Sequence, residues 1–273
     1  MSRVRAPSIA HFSHSRMHKL EAFLLGLVQG FTEFFPISSS AHLKFFKMLL
    51  GVDASLENPC FDLSCHLGTL LTLIYFLRKD ITHLFMYDRK KLLTLFLSLT
   101  PLVPFYFLLK PIRDMASAPS LLGLFLIVSA GILFVGNRFQ FKKVKDPISK
   151  KDFFLIGTMQ AIALIPGISR SGSTIAAARA LGWSARDAVR FSFLLSIPAI
   201  LGGTFLEVLK IVKEPQLTSL PLSVYAIGFT TSFLGSLSIV SFAMKLLEKG
   251  NLKPFFWYCL IVGILITLYT HFR

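Results

Sequence analysis

A carboxylate, a serine run, a histidine and an arginine sit where an apolar chain has least reason to carry them. Glu33 follows Gln29 by one helical turn, Ser38, Ser39 and Ser40 come after Pro36, and His42 lies one turn beyond Ser39. A second polar segment holds Gln160, Pro166, Gly167, Ser169, Arg170, Ser171 and Thr174. These residue types suit phosphoryl chemistry. A serine hydroxyl can attack phosphorus, an imidazole or carboxylate can move its proton, and a guanidinium can grip phosphate oxygens in bidentate fashion.

Burial explains why the charges need partners. An Asp, Lys or Arg at mid-bilayer costs about 2.5 to 3.5 kcal/mol on insertion scales, so Glu33 and Arg170 are expected to neutralise each other, a metal ion or a charged ligand. A purely structural Glu33–Arg170 pair is the plainer alternative. After Pro36, and again after Pro166 and Gly167, serines stand where a new half-helix begins, which favours capping and leaves amide donors for an anion. Hydroxyls also let membrane helices pack closely, and Ser40, Ser173 and Thr174 fit that use equally well. His66, His83 and His271 have no such company and read as structural or interfacial.

The elements that position these groups are membrane helices. The 273 residues are 53% hydrophobic and only 16% charged, with 28 Phe and a mean hydropathy of +0.65, against about 25% charged residues in soluble domains. Uncharged runs from Leu92 to Leu109, Met115 to Asn137, Pro215 to Met244 and Pro254 to Thr270 approach or exceed the roughly 17 to 25 residues of a crossing. Weaker candidates are Leu63 to Leu77 and Phe191 to Leu206. By contrast, Leu20 to Leu50 and Phe153 to Leu181 carry the polar residues, and Pro36 and Pro166–Gly167 break each into two short helices. Such segments suit re-entrant hairpins.

Lys and Arg cluster at 78–91, 138–151 and 245–253, and the positive-inside rule makes those three loops cytoplasmic. Six crossings then fit, near 63–77, 92–110, 118–137, 188–206, 223–244 and 254–271. The segment before residue 63 must begin and end outside, and 153–186 must begin and end inside. The net charge of +15 is thus topological, with no nucleic-acid motif beside it. At an offset of 131, Gly26 meets Gly157, Gln29 meets Gln160, Ser38 meets Ser169 and Ser40 meets Ser171. The expected fold class is therefore an all-α polytopic membrane protein: six transmembrane helices plus two oppositely oriented re-entrant hairpins in an inverted-topology repeat. One integral domain would cover 17–273, with repeats at about 20–137 and 152–272. Residues 1–16 read as a disordered or artefactual extension, and Arg3, Arg5, Arg16 and Lys19 run against an outer N-terminus. Cys60, Cys65 and Cys259 form no metal or disulfide pattern.

QGFTEFFPISSSAH at Gln29 to His42 and PGISRSGST at Pro166 to Thr174 closely resemble the two signature motifs of the bacterial undecaprenyl pyrophosphate phosphatase family, the bacitracin-resistance proteins. The likeness continues through RFSFLLSIPAILGG at Arg190 to Gly203. It implies hydrolysis of the lipid pyrophosphate to the monophosphate carrier for cell-wall synthesis, with bacitracin resistance, in a multi-pass inner-membrane protein; the positive loops open its first hairpin, and with it the active site, toward the outer face. Carried over by position, Gln29 and Glu33 take the acidic pair, Ser39 the nucleophile and His42 the histidine, with Arg170 beside them in catalysis. Ser38, Ser169, Arg170, Ser171 and Thr174 bind phosphate. Divalent Mg²⁺ or Ca²⁺ is the expected cofactor, ligated at Glu33, whereas Gln29, where many members have glutamate, makes a doubtful ligand. Ala41 replaces a common glycine. Expected partners are undecaprenyl pyrophosphate and membrane lipids, with no nucleic acid and a homodimer left open. The rival functions are an inverted-repeat secondary transporter and a lipid-carrier flippase. Within the phosphatase reading, direct attack by water or by His42 stands beside Ser39.

Overall fold

In the computed structural model, residues 17–52, 59–138, 149–213 and 220–272 are described, and every regular element among them is a helix. The N-terminal segment 1–16 and the basic residues Lys142, Lys143 and Lys145 lie outside the described residues. In chain order the helices are α1 Lys19–Thr32, α2 Ser39–Leu49, α3 Pro59–Phe76, α4 Arg78–Tyr87, α5 Arg89–Leu97, α6 Leu102–Leu108 and α7 Lys110–Ala116. They continue with α8 Pro119–Arg138, α9 Lys150–Ile162, α10 Arg170–Ala180, α11 Ala185–Lys213, α12 Leu222–Glu248 and α13 Lys253–His271.

Among the described residues, six stretches are long and apolar enough to cross a membrane: Pro59–Phe76, Arg89–Leu108, Pro119–Arg138, Ala185–Lys213, Leu222–Glu248 and Lys253–His271. They coincide with the crossings expected from charge-free runs. The second departs in detail, because it is two helices: α5 ends at Leu97, a turn covers 98–101, and α6 resumes at Leu102. Pro101 has no N–H to return to the preceding turn, which removes a helical hydrogen bond there. Both polar segments also break, α1 from α2 at 33–38 and α9 from α10 at 163–169.

Glycine and serine, more than large apolar side chains, bring the helices around the site together. With lipid as apolar as leucine, helices associate through close packing and hydrogen bonds. A Cβ on Gly30 of α1 would stand 2.7 Å from the Ser232 carbonyl oxygen and 2.9 Å from the Ser236 amide of α12. On α3, Gly68 faces the same stretch of α12, where Thr72 and Ser236 share a buried hydrogen bond of 2.6 Å. Gly123 of α8 packs on the Gly263 carbonyl of α13 in the same way. Cys65 and Cys259 are buried, Cys60 is partly buried, and none of the three is in a disulfide.

Candidate functional site

Glu33 is the hub. It caps the C-terminus of α1, so Gln29 sits one turn before it on the same face and reaches its Oε2 from Nε2 at 2.7 Å. The chain then turns back, and the Ser39 hydroxyl at the start of α2 donates to the same oxygen at 2.6 Å. Oε1 takes the Arg170 guanidinium from α10, so the charges of the two polar segments neutralise each other directly. Glu33 is 7% exposed, and removing one partner of so buried a pair costs about 3 to 5 kcal/mol. Arg170 also extends Nη1 to the Ser196 carbonyl of α11 at 3.3 Å.

The first turn depends on an unusual residue. Ser38, at the N-cap of α2, has φ 64° and ψ 87°, left-handed backbone that a non-glycine residue adopts at a cost on the order of 1 to 3 kcal/mol. Its hydroxyl caps nothing and meets Ser40 Oγ at 3.2 Å. The first-turn amides of α2 therefore have no side-chain cap. At the second turn Gly167 supplies the positive φ, 96°, without strain. Here Ser169 does cap its helix, accepting from the Gly172 amide at 3.1 Å, while Ser129 of α8 donates to the Gly167 carbonyl and accepts from the Ser169 amide. Ser171 Oγ donates across to the Phe35 carbonyl at 3.2 Å, tying one turn to the other.

Between the turns lies a cavity of about 430 Å³, whose polar wall includes Glu33, Ser38, Ser39, Ser169, Arg170 and Ser171. Six of the sequence-selected residues thus meet at one space. Two do not. Thr174 is buried with its hydroxyl on the Arg170 carbonyl and on Ser192 Oγ, and it does not line the cavity. His42 is turned away from Ser39: Nδ1 bonds the Ser38 carbonyl and Nε2 the Tyr258 hydroxyl of α13, both at 2.8 Å. Helical spacing put Ser39 and His42 one turn apart, but the imidazole instead folds back over its own helix start.

His66 enters instead. Its Nδ1 is 2.9 Å from Gln29 Nε2 and 3.6 Å from Glu33 Oε2, and its ring lines the cavity. The available signal was a titratable residue inside the apolar span Leu63 to Leu77, a position that in a membrane favours function. Ser129 and Tyr258 gave no signal, being single polar groups in long apolar runs.

Mg²⁺ and Ca²⁺ want six or more oxygen ligands. Both Glu33 oxygens are already committed to Arg170, Ser39 and Gln29. Gln29 Oε1 is a buried oxygen without a partner, yet among the described residues no three His, Cys, Asp or Glu side chains converge. The residues do not fit a resident ion.

A multi-pass helical membrane protein with an arginine- and serine-lined cavity at two helix breaks is the class these features define. The sequence model described as Bacitracin resistance protein BacA matches residues 22–265, and the chain belongs to that family. The undecaprenyl-diphosphatase of Protochlamydia amoebophila strain UWE25 is 43% identical over 251 residues, covering 91% of this chain and 97% of that protein. That of Oceanobacillus iheyensis is 34% identical over 265 residues, covering 90% and 95%. The undecaprenyl-diphosphatase 2 of Bacillus thuringiensis strain Al Hakam is 35% identical over 265 residues, covering 92% and 97%.

Proposed function

We propose that this protein is an undecaprenyl-diphosphatase that hydrolyses undecaprenyl pyrophosphate to the monophosphate and phosphate within the membrane. Family membership and the names of relatives aligned over nine-tenths of the chain support it. The transporter and flippase readings have no such support. The observation that carries the chemistry is the 2.6 Å bond from Ser39 Oγ to Glu33 Oε2 on the cavity wall.

The diphosphate would lie between the two turns, against the uncapped start of α2 and the Arg170 side chain, where helix N-termini and a guanidinium favour anions. The 3.3 Å bond from Arg170 to Ser196 is the weaker of its two contacts and gives way to phosphate. Ser39 Oγ attacks the terminal phosphorus and passes its proton to Glu33, and the lipid monophosphate leaves. Water then attacks the phosphoserine, the P–O bond to Ser39 breaks, Ser39 recovers its proton from Glu33, and phosphate leaves carrying the protons of the water. A divalent cation would enter as a companion of the diphosphate. Purified Ser39→Ala should bind a prenyl pyrophosphate and release no phosphate. Turnover in that variant would pass the attack to water or His42.

The same reading covers topology. The α1–α2 and α9–α10 pairs would be re-entrant hairpins of opposite orientation in an inverted repeat, in an inner-membrane protein whose cavity opens outward. An offset of 131 residues supports this, since it carries α2, Ser39–Leu49, onto α10, Arg170–Ala180, at both ends. The small glycines Gly26 and Gly157 also match at that offset, and each abuts a neighbouring helix or turn.

A further inference from the structure

Three residues on one face of α13, Phe255, Tyr258 and Cys259, bear on the first turn. Phe255 packs on Phe35 with ring centroids 5.7 Å apart and planes tilted by 31°, Cys259 Sγ lies 3.7 Å from the Pro36 carbonyl oxygen, and the Tyr258 hydroxyl meets His42 Nε2 at 2.8 Å. The spacing of three and four residues is that of a single helical stripe. We propose that Tyr258, acting through His42, is a positioning residue that holds Ser38 in its left-handed conformation and so sets Ser39 against Glu33. The inference rests on the reading that Ser39 supplies the attacking oxygen.

The argument is one of donors and acceptors. A backbone carbonyl only accepts, so His42 Nδ1, 2.8 Å from Ser38 O, must carry hydrogen. In the neutral ring Nε2 then holds the lone pair, and Tyr258 is the group that donates to it. The phenol thereby selects the tautomer whose Nδ1–H grips Ser38, and its ring stacks on the imidazole at 13° between planes. His42 is 3% exposed, and both nitrogens are engaged away from Ser39. Beyond the 3.3 Å backbone bond that its carbonyl accepts from the His42 amide, Ser38 has no side-chain cap to hold it. The second turn needs no such device, because glycine takes its positive φ and Ser129 pins it from α8.

Substituting both partners tests the relay. Asparagine offers an amide N–H near where Nδ1 stands and has no distal nitrogen for Tyr258 to satisfy, whereas glutamine mimics Nε2 and loses the bond to Ser38. Tyr258→Phe is expected to lower kcat roughly ten-fold with KM unchanged, the loss of one well-placed hydrogen bond. His42→Asn should keep activity within about ten-fold of the native enzyme while His42→Gln loses far more, and adding Tyr258→Phe to His42→Asn should remove nothing further. In purified ¹⁵N-histidine protein, His42 should be protonated at Nδ1, with its Nε2 resonance shifting in Tyr258→Phe. A His42→Asn variant as inactive as Ser39→Ala would overturn the proposal, because His42 would then act on substrate. So would full activity in Tyr258→Phe, or an Nε2-protonated His42 in the native protein. Activity in Ser39→Ala would overturn the nucleophile alone, and the ¹⁵N spectra would still decide whether Tyr258 sets the tautomer.

Discussion

The Ser39 hydroxyl donates to Glu33 Oε2 at 2.6 Å, across the turn that separates α1 from α2. A carboxylate buried to 7% exposure, bonded to a serine and paired with Arg170, is held in place as an ionised acceptor facing the hydroxyl. The chemistry of the pair depends on the carboxylate remaining an acceptor.

Glu33→Gln follows from that. The amide keeps shape but accepts no proton, so kcat should fall by about 10² to 10⁴-fold, the usual contribution of a positioned base. Arg170, freed of its counter-ion, should hold the diphosphate at least as tightly. Phosphate release and binding of a short prenyl pyrophosphate by the purified variant measure the two effects separately. Weakened binding with unchanged kcat would make Glu33 a binding residue only.

Arg170→Lys should be nearly as damaging as Arg170→Ala. The guanidinium spans Glu33 and the Ser196 carbonyl from two different nitrogens, and a single ammonium has no planar fork with which to bridge them or a phosphate. Near-native turnover in the lysine variant would show that charge alone suffices.

Much of this arrangement was legible in the sequence, and what escaped has a physical reason. Charge-free runs gave the crossings, and prolines gave both helix breaks, because each leaves a local mark. The Glu33–Arg170 pair could be expected because mid-membrane charges need partners. Long-range matters were different. Ser39 and His42 are neighbours by helical spacing, yet a phenol 216 residues away captures the imidazole. His66 carried a mark, a titratable residue in an apolar span, but its place beside Gln29 comes from the packing of α3, and Ser129 reaches the site through the packing of α8, which no local pattern records. The positive φ of Ser38 carries no sequence signature, since serine seldom adopts it.

Helix packing gives a stability prediction. In Gly30→Ala the new methyl would meet backbone atoms of Ser232 and Ser236, which cannot rotate aside, whereas at Gly131 nothing lies within 4 Å. Overpacking should cost Gly30→Ala about 1 to 3 kcal/mol. Gly131→Ala should be neutral or stabilised by up to about 1 kcal/mol through helix propensity. Thermal unfolding of the two variants in detergent compares them directly, and equal transition temperatures would mean that α1 and α12 can separate without loss.

Metal dependence should respond to position 29. Gln29→Glu would set a second carboxylate beside Glu33 Oε2, where the amide now stands at 2.7 Å. Two carboxylates that close need a proton or a cation between them. Activity should therefore become more sensitive to EDTA and recover at lower added Mg²⁺ or Ca²⁺ than in the native protein. An unchanged titration would show that a carboxylate at position 29 recruits no ion to the site.

The last prediction concerns sidedness. The basic residues Arg89, Lys90 and Lys91 open α5, and Lys245 and Lys249 close α12, so both ends belong to the cytoplasm if positive charge stays inside. The chain between α2 and α3 then lies on the outer face, the side toward which the first turn would open. After Cys60, Cys65 and Cys259 are replaced by alanine, single cysteines at Ser55, Lys90 and Lys249 report the arrangement in intact cells. An impermeant thiol reagent should label position 55 and spare 90 and 249 until the membrane is opened. Labelling of 90 or 249 with 55 protected would invert the topology and place hydrolysis on the inner face, leaving the Ser39–Glu33 chemistry in place but drawing its substrate from the other leaflet.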